Sequence, residues 1–137
     1  MLIGFKSGTF TLLTKGHVEC LRYCKSKCDY LIVGINDDNY LINKKGFCIV
    51  PAIERKQVIQ SIKFVNKVIV YSGKNEQRLL EKLQRLLTPK NKLIVFHSKE
   101  MLDKEFIPGS DIAEIVYCPQ VKSSSTTDII NRIKNNV

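Results

Sequence analysis

"LIGFKSGTFTLLTKGHVECLRYCKSKCDYLIVGI", residues 2–35, holds two apolar runs with a stretch of helical period between them. The runs "LIGF" (2–5) and "YLIVGI" (30–35) are short and rich in branched side chains, as buried strands are. "GHVECLRYCKSK" (16–27) repeats its apolar residues at helical spacing. Strand, helix, strand is the unit from which parallel sheets are built. The alternation continues, with strands expected at "KVIVY" (67–71), "KLIVF" (92–96) and "AEIVYC" (113–118). Helices are expected at "AIERKQVIQSI" (52–62), "NEQRLLEKLQRLL" (75–87) and "TTDIINRIKNN" (126–136), with Pro51 before the first of these and Pro89 after the second. The pattern predicts an α/β protein: a Rossmann-like, doubly wound, mostly parallel five-stranded sheet with helices on both faces. No repeat, linker or low-complexity tract divides the chain, so residues 1–137 are expected to form a single domain.

Composition narrows the class further. No apolar run approaches the roughly 20 residues of a membrane helix, and "MLIGFKSG" lacks the layout of a signal peptide. Both observations point to the cytoplasm and away from a membrane. Five cysteines, an odd number, argue against a disulfide framework. Cys20, Cys24 and Cys28 recur along one helix, whereas zinc ligands usually come as close pairs from separate elements. They are read as reduced thiols behaving as small hydrophobes, and no metal ligand set is expected. The net charge of +9 favours anionic or phosphorylated partners. No aromatic-interleaved basic strand accompanies it, so nucleic acid is not the expected partner.

In a doubly wound sheet, ligands sit beyond the carboxyl ends of the strands, against helix starts. That directs attention to Lys6–His17, Asn36–Pro51, the loop after Phe96, and Pro119–Thr126. Within the first of these, strand one is expected to end near Phe5 and the helix to begin near Lys15 or Gly16. Gly8 permits a turn forbidden to other residues and lets a ligand approach closely. Thr14 and His17, three apart at one helix start, can face the same bound group. Spacing alone fits either a phosphate cradle or an ordinary capped helix. Neither a Walker loop nor a dinucleotide G-x-G-x-x-G is present.

"GTFTLLTKGH" (8–17) resembles the signature of the nucleotidylyltransferase superfamily, G-T/S-F-D followed by H/T-x-G-H. "CDYLIVGINDD" (28–38), "ERKQVIQSIKFVNKVIV" (54–70) and "SSTTDIINRI" (124–133) are similar in order and spacing to its cytidylyltransferase-like branch. That branch includes the glycerol-3-phosphate cytidylyltransferases and the nucleotidylyltransferase domains of ADP-heptose synthases. The likeness implies transfer of a nucleoside monophosphate from CTP or ATP to a phosphorylated small molecule, with release of pyrophosphate and with Mg²⁺ arriving on the triphosphate. It also implies a homodimer through the segment at 62–69.

Carried over residue by residue, the resemblance gives His17, Thr14, Lys44 and Arg55 catalytic roles. His17 donates to the phosphoryl group, Thr14 donates through its hydroxyl, a loop lysine reaches phosphate, and Arg55 clamps phosphate through its planar fork. Gly8, Thr9, Phe10, Gly16, His17, Lys45, Ser125 and Thr126 would bind the nucleotide, and Asp38 falls on an acidic position of the family. Four departures stand out. Thr11 replaces an aspartate, Gln120 an arginine (with Lys122 nearby), His97-Ser98 a Gly-Asp pair, and Gly46 a second lysine. They motivate an alternative: a catalytically weakened member acting as a nucleotide-binding or partner module. His97 is either a pocket residue or idle.

Overall fold

The computed structural model describes residues 1–137. Its elements run β1 (Leu2–Gly8), α1 (Lys15–Ser26), β2 (Tyr30–Asn36), α2 (Asp38–Lys45), α3 (Ala52–Gln60), β3 (Lys67–Tyr71), α4 (Glu76–Leu86), β4 (Lys92–Ser98), β5 (Glu114–Cys118) and α5 (Thr126–Asn135). The five strands form one sheet in the order β3-β2-β1-β4-β5, and every pairing is parallel. The order reverses between β1 and β4, which makes that junction the switch point of the fold.

Alternation along the strands divides the core in two. Leu31, Val33 and Ile35 of β2 join Ile94 and Phe96 of β4 on one face, packed by Leu21 and Cys24 of α1 and Ile59 of α3. Ile32, Leu93 and Val95 point the other way, with Ile3 and Phe5, and meet Leu80 of α4. Leu21, Leu31, Ile35, Ile59 and Leu80 have no exposed surface. Each stabilises the fold by about 1.5–3 kcal/mol relative to exposure. None of the helices is long and apolar enough to cross a membrane.

Two expectations need correction. β1 does not stop near Phe5: Lys6, Ser7 and Gly8 continue it, pairing with Val33, Gly34 and Ile35 of β2. Their polarity belongs to the sheet's open end and does not break the ladder. Residues 38–45 are a helix, so Lys44 and Lys45 lie in a last helical turn and not in a long loop. Asp37 caps that helix by accepting from the Tyr40 amide at 2.8 Å, and Gly46 closes it in the left-handed region. Only Leu41 of α2 is buried, so no apolar stripe announces it.

Candidate active site

Thr14 is the N-cap of α1, and the box it forms uses a histidine where glutamate or glutamine is usual. The Thr14 amide donates to His17 Nδ1 at 3.1 Å, and the His17 amide donates to Thr14 Oγ1 at 3.4 Å. Because Nδ1 accepts, the neutral ring carries its hydrogen on Nε2. Burial lowers the imidazole pKa below its ordinary value. His17 is therefore a neutral, oriented donor near pH 7. The ring of Phe10 meets it edge-on at 5.2 Å.

Phe10, not Gly8, takes the left-handed turn of this loop, at φ 52°. Gly8 is needed for space: a Cβ there would sit 2.5 Å from the Phe10 ring. Gly16 is a second close approach, since a Cβ on it would lie 2.5 Å from Ser123 Oγ. The segment leading into α5 thus rests on the start of α1.

At α5, Ser125 and Asp128 form the same box. Ser125 Oγ accepts from the Asp128 amide at 3.0 Å, and the Ser125 amide donates to Asp128 Oδ2 at 3.1 Å. The Ser125 amide, and then its hydroxyl, hold the Asp128 carboxyl below its ordinary range. Thr126 and Thr127 line a cleft of about 310 Å³ with Thr11, Lys45 and Cys48. No carboxylate lines it, so this cleft suits an anion.

The adjacent lysine points elsewhere. Lys44 lines a cleft of about 240 Å³ over the β1–β4 switch point, shared with Lys6, Ser7, Asn36, Gly73 and His97. It also borders a groove of about 440 Å³ with Asp37, Asn43 and Lys74. Neighbours on a helix project about 100° apart, which sends the two ammonium groups into different spaces. His97 is 4% exposed and donates from Nε2 to the Pro108 carbonyl at 2.9 Å. A larger cleft of about 580 Å³ lies at the opposite, amino edge, beside Lys92 and Glu114. It shares no residue with the helix starts.

Arg55 departs from its expected role as a clamp. It is 1% exposed, and protein acceptors engage each of its nitrogens. Nε donates to the Val50 carbonyl at 2.7 Å, Nη1 to the Thr9 and Asn36 carbonyls at 2.9 and 2.8 Å, and Nη2 to Asp38 Oδ1 at 2.9 Å. This guanidinium fixes the loop that precedes α1 and does not present itself to phosphate. Desolvation opposes the Asp38 charge, yet the Ala52 amide and Arg55 outweigh it and keep the carboxyl below its ordinary range. Thr9 contributes its carbonyl to Arg55 and its hydroxyl to Asn36 Nδ2 at 3.4 Å.

Lys6, Asn36 and Ser123 lie within the stretches to which the sequence directs attention, but the sequence assigns none of them a role. Lys6 and Asn36 sit near the carboxyl ends of the two strands that flank the opening, and their polarity after apolar runs was the available signal. Ser123 had none, because its place over Gly16 depends on the tertiary fold.

A parallel sheet of this strand order, with the segment before α5 resting on the capped start of α1, defines a Rossmann-like fold. Residues 5–132 match the family model "Cytidylyltransferase-like", and the chain belongs to that family. It is 30% identical over 126 residues to glycerol-3-phosphate cytidylyltransferase of Bacillus subtilis, covering 92% of each chain. It is 34% identical over 135 residues to the bifunctional protein HldE of Helicobacter pylori, covering 96% of this chain and 27% of that one. The chain thus spans about a quarter of the bifunctional relatives it matches. Among solved structures, the lipopolysaccharide core biosynthesis protein from Thermoplasma volcanium superposes with TM-score 0.71 at 21% identity, covering 89% of this chain and 99% of that one. A putative nicotinate-nucleotide adenylyltransferase from Vibrio parahaemolyticus gives 0.69 at 15%, covering 98% and 88%. These two likenesses concern the fold.

Proposed function

We propose that the protein is a nucleotidyltransferase moving a nucleoside monophosphate from CTP or ATP to a phosphorylated small molecule, such as glycerol 3-phosphate or a sugar phosphate. The acceptor's phosphate oxygen attacks the α-phosphorus, the bond from that phosphorus to the bridging oxygen breaks, and pyrophosphate leaves. Both reactants are anions, so the protein's work is to hold them in line and meet the growing charge. His17 donates from Nε2 to the transferring phosphoryl group, with the Thr14 hydroxyl beside it. The amides of the α1 start and backbone of Gly8, Thr9, Phe10 and Gly16 shape the nucleotide side. Lys45, Ser125 and Thr126 meet the triphosphate tail, and Lys44 with Lys6 faces the acceptor. Arg55 acts as a positioning residue through the Thr9 carbonyl.

Mg²⁺ fits this site as a companion of the triphosphate. Thr11 brings a hydroxyl where the family has aspartate, and the cleft beside Thr126 has no carboxylate. The ion would be held by phosphates and water, neutralising charge on the tail. The same reading places the protein in the cytoplasm as a homodimer.

One observation carries the proposal: Ser123 lies against Gly16 while Thr11 and Thr126 share a cleft, bringing both helix starts to one place. The test is pyrophosphate release with CTP or ATP, Mg²⁺ and a panel of phosphorylated acceptors. Release with one pairing is expected. Nucleotide binding without release across the panel would instead assign the chain to the weakened, binding-only form that Thr11 and Gln120 motivate.

A further inference from the structure

The cysteine column on α1 does not stay together in space. Cys28 donates to the Cys24 carbonyl at 3.3 Å and stands apart from the cluster its neighbours form. Its place is taken by Cys118, the last residue of β5, whose sulfur lies 3.6 Å from that of Cys24. With Cys20 they make a triangle whose sulfurs all lie within 4.8 Å of one another. Two elements far apart in sequence therefore deliver three thiols to one point.

Apolar packing does not require this. Alanine or valine would fill the same core positions without three sulfurs converging. The triangle also has the dimensions of a coordination sphere. With one edge of 3.6 Å and no edge above 4.8 Å, a point equidistant from the sulfurs is about 2.6 Å or less from each, close to the roughly 2.3 Å of a zinc–thiolate bond. A disulfide would use two sulfurs only, and would need 3.6 Å to contract to about 2.05 Å.

We propose that Cys20, Cys24 and Cys118 bind one zinc ion. Cys24 and Cys118 are buried, and Cys20 is half-buried, so entry and an open fourth position lie on the Cys20 side, where water completes the tetrahedron. Charge favours zinc over a monovalent soft cation. Three thiolates and a divalent ion leave one negative charge, where a monovalent ion would leave two. Binding releases the protons of the three thiols to solvent, with no change of oxidation state. The ion would tie α1, one turn beyond His17, to the strand that leads into Ser125. The proposal is independent of which nucleotide or acceptor the protein uses.

Tag-free, fully reduced protein is loaded with Zn²⁺, passed through gel filtration, and assayed for bound metal and for native thiol reactivity toward an aromatic disulfide reagent. One zinc per chain is expected, with three of the five thiols slowed by the metal. Cys20→Ser, the least buried of the three changes, should weaken zinc retention by at least about 100-fold, while Cys28→Ser and Cys48→Ser leave it intact. X-ray absorption should find three sulfurs near 2.3 Å. Loss of zinc from the parent protein on the column, equal thiol reactivity with and without zinc, or a shell of nitrogen and oxygen alone would each overturn the assignment. All three measurements use the unmutated protein, so they stand even where a serine variant fails to fold.

Discussion

At the start of α1 a threonine hydroxyl receives the third amide of the helix, and the third residue's imidazole receives the threonine amide. At the start of α5 a serine and an aspartate make the same exchange. The bonds are alike and the electrostatics are not. Asp128 sets a full negative charge on the positive end of its helix, which suits an exposed surface helix and weakens its pull on another anion. His17 completes its box without charge, half-buried against Phe10 and beside the chain at Ser123. The α1 start keeps its attraction for phosphate. A neutral cap leaves the α1 start with the stronger pull on an anion, and the α5 start with the weaker one.

The strongest way to break this contrast is at His17. His17→Ala should reduce pyrophosphate release by about 100- to 1000-fold, as loss of one aimed donor does. His17→Gln should lose a similar share of rate while keeping the cap, because glutamine serves at that position of the box. Equal stability of His17→Gln and the parent in urea, with unequal rates, separates donor from cap. The next effect concerns Arg55, which braces the loop before α1 and has no counterpart at α5. Arg55→Met leaves the Thr9, Asn36 and Val50 carbonyls without their donor and should lower stability by about 3 kcal/mol. Nucleotide affinity should fall with it in thermal-shift titrations.

Smaller effects test the boxes themselves. Thr14→Ala and Ser125→Ala should each cost about 1 kcal/mol in denaturant unfolding, with Thr14→Ala lowering kcat and Ser125→Ala raising the KM for the nucleotide. The last contrast is in pH. Burial puts the folded pKa of His17 below its ordinary 6.5, so its contribution is complete above that value and is lost as pH falls toward the folded pKa. Asp128, below its ordinary 3.8, contributes above that value and is lost only as pH falls through its lower folded pKa. Amide exchange should therefore show the α1 start opening on acidification while the α5 start stays closed.

Much of this was legible in the chain itself. β3 at 67–71 falls where the apolar run ends on both sides, because its boundaries are turns with clear polar residues. α2 was invisible for a physical reason: it is held by Asp37 and Gly46 at its two ends and buries one leucine, so its pattern carries no period. The site divides in the same way. Thr14 and His17 are neighbours in sequence, and their spacing states their geometry. Arg55 finds its acceptors on three separate segments, so nothing around "PAIER" reveals that the guanidinium is enclosed. Cys118 reaches α1 only through the strand order, which no local window contains.

That strand order also sets when the molecule can be completed. β1 pairs with β4, so Leu2–Lys6 must wait for Lys92–Phe96 before its second edge is satisfied. On a ribosome the first two-thirds of the chain would emerge with a central strand open on one side, a template for pairing with other nascent chains. The opening between β1 and β4, where Lys6 and His97 meet, comes into being only when that edge closes. A truncated product lacking β4 is thus both incapable of holding a ligand there and the form most prone to aggregate.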